Sequence, residues 1–187
     1  IIIGTGRPSI EVYGVYTGKI QWKFYLRNKD EKIVNYRDFT GGNPWGGISS
    51  DNKNGILYLT TGNSRPYYAG VLRPGKNLYA NSIVAFDIRN KKVLWHFQET
   101  CHDLWNYDIA APPVLTTINK DGKRIDVLVA FTKLGNTIIL DRFTGEPIFD
   151  YRMKLAPASV FPGERTCQYQ PSLETPEPFA KSEFSLD

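Results

Sequence analysis

Four short stretches, 56–60, 83–87, 127–131 and 137–141, are strand-length apolar segments read at a period of two, which predicts strands rather than helices. No segment sustains an amphipathic 3.6-residue pattern for more than about three turns. Asp51-Asn52-Lys53-Asn54-Gly55 and Asn119-Lys120-Asp121-Gly122 supply the polar and glycine residues of tight hairpin turns between such strands. The pattern predicts an all-β fold.

Three longer segments share one spacing. They are Val12 to Trp22, Ala85 to Trp95 and Ile139 to Phe149. Each begins on a small or aliphatic residue, crosses a turn centre such as Thr17-Gly18 or Thr144-Gly145, and reaches an aromatic ten positions on. Aromatics repeated at hairpin ends are what the blades of a propeller use to bury their faces against one another. About three blades are expected over residues 1–153.

The rest of the chain, 154–187, holds five prolines and no sustained alternation. It predicts an extended connector toward a further blade, with Val160, Phe161, Tyr169 and Phe179 as apolar anchors. The start, Ile1-Ile2-Ile3-Gly4, reads as the middle of a buried strand, so the chain is expected to be an interior piece and the missing leader carries no information.

Composition adds aromatic, glycine and proline richness (13% aromatic, 16 Gly, 12 Pro in 187 residues), which suits many short strands joined by turns. The net charge of +4 is spread along the chain without a run of Lys or Arg, which argues against nucleic acid as a partner. No stretch approaches the roughly 20 apolar residues of a membrane-spanning helix. Two cysteines, Cys101 and Cys167, neither make nor exclude a disulfide.

Candidate chemistry lies between the repeats. Trp45 stands among Gly41, Gly42, Gly46 and Gly47; it reads first as a core residue, but the glycines also let a flat ligand approach the indole face. Asn63 ends the strand Leu59-Thr60-Thr61-Gly62, either as a turn residue or as a carboxamide oxygen offered to a hard cation. The segment His102-Asp103-Leu104-Trp105-Asn106-Tyr107-Asp108 is a structural corner or a site. Lys133, read as a strand residue between apolar neighbours, would need an anion or carbonyl to accept its charge.

Taken in order, Trp45-Gly46-Gly47, Thr61-Gly62-Asn63, Arg73-Pro74-Gly75-Lys76-Asn77-Leu78-Tyr79, His102-Asp103-Leu104-Trp105, Thr132-Lys133-Leu134-Gly135 and Leu140-Asp141-Arg142 resemble the pyrroloquinoline-quinone-dependent (quinoprotein) dehydrogenases. Trp45 precedes Asn63 by 18 positions and Asn106 precedes Lys133 by 27, in agreement with that family. The resemblance implies an eight-bladed propeller in the periplasm, with pyrroloquinoline quinone near its axis and a Ca²⁺ (or lanthanide) ion beside it. It implies that Trp45 stacks on the cofactor, that Asn63 is a metal ligand, and that Lys133 contacts the quinone oxygens.

The Lys at 133, where methanol-oxidising members carry Arg, points to glucose-dehydrogenase-like members. The implied reaction takes hydride from a sugar or alcohol, with electrons passing to a quinone or a cytochrome. Two positions depart from the family. Asn106 stands where the family has its catalytic Asp, which leaves Asp108 as a displaced base or a metal ligand, or marks an impaired enzyme. The family's upstream Glu ligand has no clear match; Glu11 is the nearest acid. A non-catalytic propeller built from the same repeats is the alternative, and Asn106 is the observation that favours it.

Overall fold

The computed structural model describes residues 1–27 and 41–180. The last seven residues of the expected connector therefore lie outside the described residues. The described residues fold into antiparallel sheets and one short 3₁₀ turn, Gly70–Leu72.

The first sheet is β1 (Ile2–Gly4), β2 (Ser9–Tyr13) and β3 (Ile20–Tyr25), in that order. The second has four strands, β4 (Gly47–Asp51), β5 (Ile56–Thr60), β6 (Ser82–Asp87) and β7 (Lys92–Gln98), each paired with its sequence neighbour. The third is β8 (Val114–Lys120), β9 (Lys123–Phe131) and β10 (Thr137–Asp141). All four expected strands and both expected turns are present. In the third sheet a fourth strand is reduced to one bridge, Leu140 opposite Pro147. Pro147 has no N–H to give to a ladder, so pairing stops there.

The second sheet is apolar on both faces, which overrides a simple in–out alternation. On one side Ile56, Tyr58, Ile83 and Ala85 pack with Leu128, Ala130, Ile138 and Leu140 of the third sheet. On the other, Leu57, Leu59, Val84 and Phe86 pack with Ile10 and Leu26 of the first. A middle blade is covered by both neighbours, so period-2 geometry survives while its polar face disappears.

The repeats work as joints. In the first and third, Gly14 accepts from Gly18 N–H (2.9 Å) and Asp141 accepts from Gly145 N–H (2.8 Å), closing matching turns. Gly18, Lys91 and Gly145 occupy equivalent positions, all at positive φ. A bulge recurs at one repeat position, between Val12 and Tyr13 and between Ala85 and Phe86. The closing aromatic of one blade then reaches the turn of the next. Trp22 stacks on Phe86 at 6.0 Å with the Lys91 ammonium 5.6 Å from its ring. Trp95 packs on Gly145 so closely that a Cβ there would lie 2.6 Å from the indole, and its Nε1 donates to Arg142 O at 3.2 Å.

After Asp150 the fold departs from an extended connector. β11 (Tyr151–Leu155) pairs antiparallel with β12 (Tyr169–Leu173), with Pro171 opposite Met153. Proline is tolerated because the sheet has only two strands, so its missing donor is no loss on the open edge. The boundary expected at 153/154 thus falls inside a strand. Val160 (90% exposed) and Phe161 are not anchors; Phe179 meets Phe131 edge-on at 5.9 Å. The segment is tied down instead by a Cys101–Cys167 disulfide (Cα–Cα 5.7 Å), by Gln170 bonding both the N–H and the C=O of Cys101, and by Glu164 accepting from Gly70 N–H at 2.8 Å.

Candidate active site

Three chain segments meet at Gly62, just past the end of β5. Gly62 N–H donates to Asn43 O at 3.0 Å, and its carbonyl accepts from Asn81 N–H at 3.1 Å. A Cβ on Gly62 would stand 2.3 Å from Trp45 Nε1, 2.7 Å from Asp108 Oδ1 and 2.8 Å from Asn43 Oδ1. The glycine is what lets an indole edge, a carboxylate and a carboxamide close on one point. Trp45 is held by this edge yet is 49% exposed.

Asp108 is buried, and both its oxygens are engaged. Oδ1 accepts the Asn63 N–H at 2.6 Å and Oδ2 accepts Lys133 Nζ at 2.7 Å. Lys133 also donates to Asn106 O at 3.2 Å. Lys133 is not on a strand: β9 ends at Phe131, and the Lys lies on the following turn with its side chain 41% exposed. The expected anion for its charge is Asp108.

Asn63 is buried, donating Nδ2 to Tyr67 O and Asp103 O (both 3.2 Å) while Oδ1 accepts Ser64 N–H at 2.7 Å. Asn106 sits at φ +64°, a left-handed conformation that Asn adopts more readily than most residues. Its Oδ1 is buried without a hydrogen-bond partner among the described residues, as is Asn43 Oδ1.

The 102–108 segment is both corner and site. Asp103 accepts from Trp105 N–H, Tyr107 N–H and Asn81 Nδ2 at 2.6–2.8 Å, which winds the loop that presents Asn106 and Asp108. Burial pushes the Asp103 carboxyl above its ordinary value, and those bonds oppose the shift. Arg73, fully buried, donates to Asp103 O, Tyr67 O, Pro66 O and Asn77 Oδ1. The Arg73–Tyr79 motif is therefore a brace beneath the site. Glu11 is spent on Lys23 and Tyr13, each at 2.5 Å, and Lys23 holds its carboxyl below the ordinary value.

The sequence reading missed Glu99. It is buried, and its carboxyl is pushed up to about 7, chiefly by that burial; bonds from Asn136 and Thr132 oppose the shift. Because the folded value lies above the usual carboxylate value, its stabilising contribution is complete below about pH 4.5 and is lost as pH rises to about 7. We expect Glu99 alone to lower the stability of the full-length protein by up to about 3 kcal/mol between pH 5 and pH 8, read as the difference between wild type and Glu99→Gln. Urea melts at both pH values should show this slope, and Glu99→Gln should flatten it.

The family model for the glucose/ethanol/alcohol dehydrogenase β-propeller domain that binds pyrroloquinoline quinone matches residues 5–186. The chain belongs to this quinoprotein dehydrogenase family. It is 35% identical over 163 residues to quinoprotein glucose dehydrogenase A of Acinetobacter calcoaceticus, covering 84% of this chain and 20% of that protein. It is 32% identical over 169 residues to the glycerol dehydrogenase large subunit of Gluconobacter thailandicus, covering 87% and 23%. Among solved structures, the quinohemoprotein alcohol dehydrogenase from Comamonas testosteroni superposes with a TM-score of 0.66 at 28% identity, over 88% of this chain and 27% of that one. The chain thus spans about a fifth to a quarter of these relatives, and its sheets are part of a propeller.

The residues present fit the cofactor better than the metal. A half-exposed indole among glycines, an ammonium and the buried carboxamide oxygens of Asn43, Asn81 and Asn106, which have no partner among the described residues, suit a planar, polar quinone. Ca²⁺ takes six to eight oxygens. Asn63 and Asp108, the expected ligands, supply one carboxylate whose two oxygens already accept bonds and one carboxamide oxygen bonded to Ser64. No group of three or more His, Cys, Asp or Glu able to hold a metal occurs among the described residues. This donor set does not make a Ca²⁺ or lanthanide site by itself.

Proposed function

We propose that this chain carries the pyrroloquinoline-quinone site of a dehydrogenase that oxidises the hydroxyl group of a sugar, glucose-like by its Lys133, or of an alcohol. The observation that carries this reading is the convergence of Trp45 and Asp108 on Gly62, with Asn63 and Lys133 both bonded to Asp108. When bound, pyrroloquinoline quinone supplies the two-electron acceptor for the hydride leaving the hydroxyl-bearing carbon. Trp45 offers its exposed face as the stacking platform.

Asp108 Oδ2 takes the hydroxyl proton, the role for which Asn106 has no basic atom. Protonating Asp108 would remove the counter-ion of Lys133 and free its ammonium to offset negative charge developing in the site. Asn106 holds Lys133 through its main-chain oxygen, a contact indifferent to its side chain. Electrons leave to a quinone or a cytochrome, and the Cys101–Cys167 disulfide supports an oxidising compartment such as the periplasm.

The test is reconstitution of the full-length protein with pyrroloquinoline quinone, with and without Ca²⁺, followed by dye reduction with glucose and simple alcohols. We expect cofactor binding and turnover that Asp108→Asn abolishes. Failure to bind the cofactor would overturn the reading. Asn106 favours a second reading, a cofactor-binding propeller without activity; binding without turnover that Asn106→Asp restores would establish it.

A further inference from the structure

We propose that Glu99 is a positioning residue for Lys133, holding the 132–136 turn through two hydrogen bonds from the blade next door. This rests on the functional reading above. Glu99 directly follows β7 in the second blade, and its N–H donates to Asn81 O at 2.9 Å, so its main chain is fixed. Its Oε1 accepts Thr132 Oγ1 at 2.9 Å and Asn136 Nδ2 at 2.8 Å, the two ends of the turn that carries Lys133.

The turn's own bonds are Thr132 N–H to Asn136 O at 3.1 Å, Gly135 N–H to Thr132 O at 3.0 Å and Asn136 N–H to Thr132 Oγ1 at 3.3 Å, and Gly135 O accepts from Phe179 N–H at 2.8 Å. The turn's own bonds close the loop on itself; the core contacts of Ala130 and Ile138 set the flanking strands against the second blade, and the turn's polar ends reach that blade through Glu99. Lys133 meets that blade's partners, Asp108 and Asn106, only by its flexible tip. Glu99 is the buried link that sets the base of the turn. Its other oxygen, Oε2, has no partner among the described residues, so all the side chain's hydrogen bonding goes to this turn. Burying a carboxyl for one half of its bonding capacity is costly, and the cost argues for a positional return rather than simple filling.

The experiment is a double-mutant cycle in the full-length protein, reading pyrroloquinoline-quinone affinity by tryptophan fluorescence beside melting temperature. Glu99→Leu is expected to weaken affinity about tenfold, the scale of losing an outer-shell partner. Glu99→Gln should keep wild-type affinity, because its carboxamide oxygen accepts both bonds. In a Lys133→Ala background Glu99→Leu should have no further effect on affinity, since the residue acts through Lys133.

Additive effects in the cycle, or a Glu99→Leu protein with wild-type affinity, would overturn the inference. If Glu99→Leu does not fold, Thr132→Val with Asn136→Ala cuts the same link from the other side and is read in the same way. Wild-type protein that binds no cofactor overturns the functional reading and this inference together. Binding by wild type with additive variants overturns this inference alone.

Discussion

Replacing Gly62 with Ala is expected to reduce pyrroloquinoline-quinone affinity of the full-length protein by at least about a hundredfold, the scale of a misplacement near 1 Å at a reacting centre. The new methyl would meet Trp45 Nε1 at 2.3 Å, Asp108 Oδ1 at 2.7 Å and Asn43 Oδ1 at 2.8 Å. Asp108 has no easy retreat. Asp108 is tied to Asn63 and Lys133, and the Gly62 main chain is bonded on both sides, to Asn43 and Asn81. The indole or the carboxylate must move, and either shift takes apart the proposed site. Gly6→Ala, where nothing lies within 4 Å, is the neutral control. Fluorescence titration with the cofactor checks the prediction. Wild-type affinity in the Gly62→Ala protein would show that the cofactor sits elsewhere.

The largest effect on stability is expected at Trp95. Trp95→Ala should cost about 3–5 kcal/mol, the range for truncating a packed aromatic. The indole contacts Tyr58 at 6.0 Å, covers Gly145 and donates to Arg142 O, so one side chain joins the second blade to the third. Trp95→Phe should recover most of the packing and lose about 1 kcal/mol for the missing N–H bond. Urea denaturation of the full-length variants measures both. A loss below about 1 kcal/mol for Trp95→Ala would mean that this joint does not hold the blades together.

Much of this was legible in the sequence because it rests on local rules. Strand period, hairpin turns and the ten-residue spacing to Trp22 and Trp95 each follow from a few adjacent residues. Trp45, Asn63, Asp108 and Lys133 were also legible as candidates, although not the hydrogen bonds that join them. What stayed hidden depends on contacts between distant segments. The Asp108–Lys133 ion pair needs the second and third blades side by side. Glu99 carried no signal in the sequence, because its partners Thr132 and Asn136 lie 33 and 37 residues away. The pairing of Tyr151–Leu155 with Tyr169–Leu173 was masked by Pro171, which reads as a strand breaker until the open edge is seen.

The placement of Trp22 over Lys91 and of Trp95 over Gly145 has a sense of direction. The first blade lends Trp22 to the second and the second lends Trp95 to the third, so both joints run head-to-tail and neither is the mirror image of the other. A vectorial contact of this kind fixes the direction in which one blade follows the next.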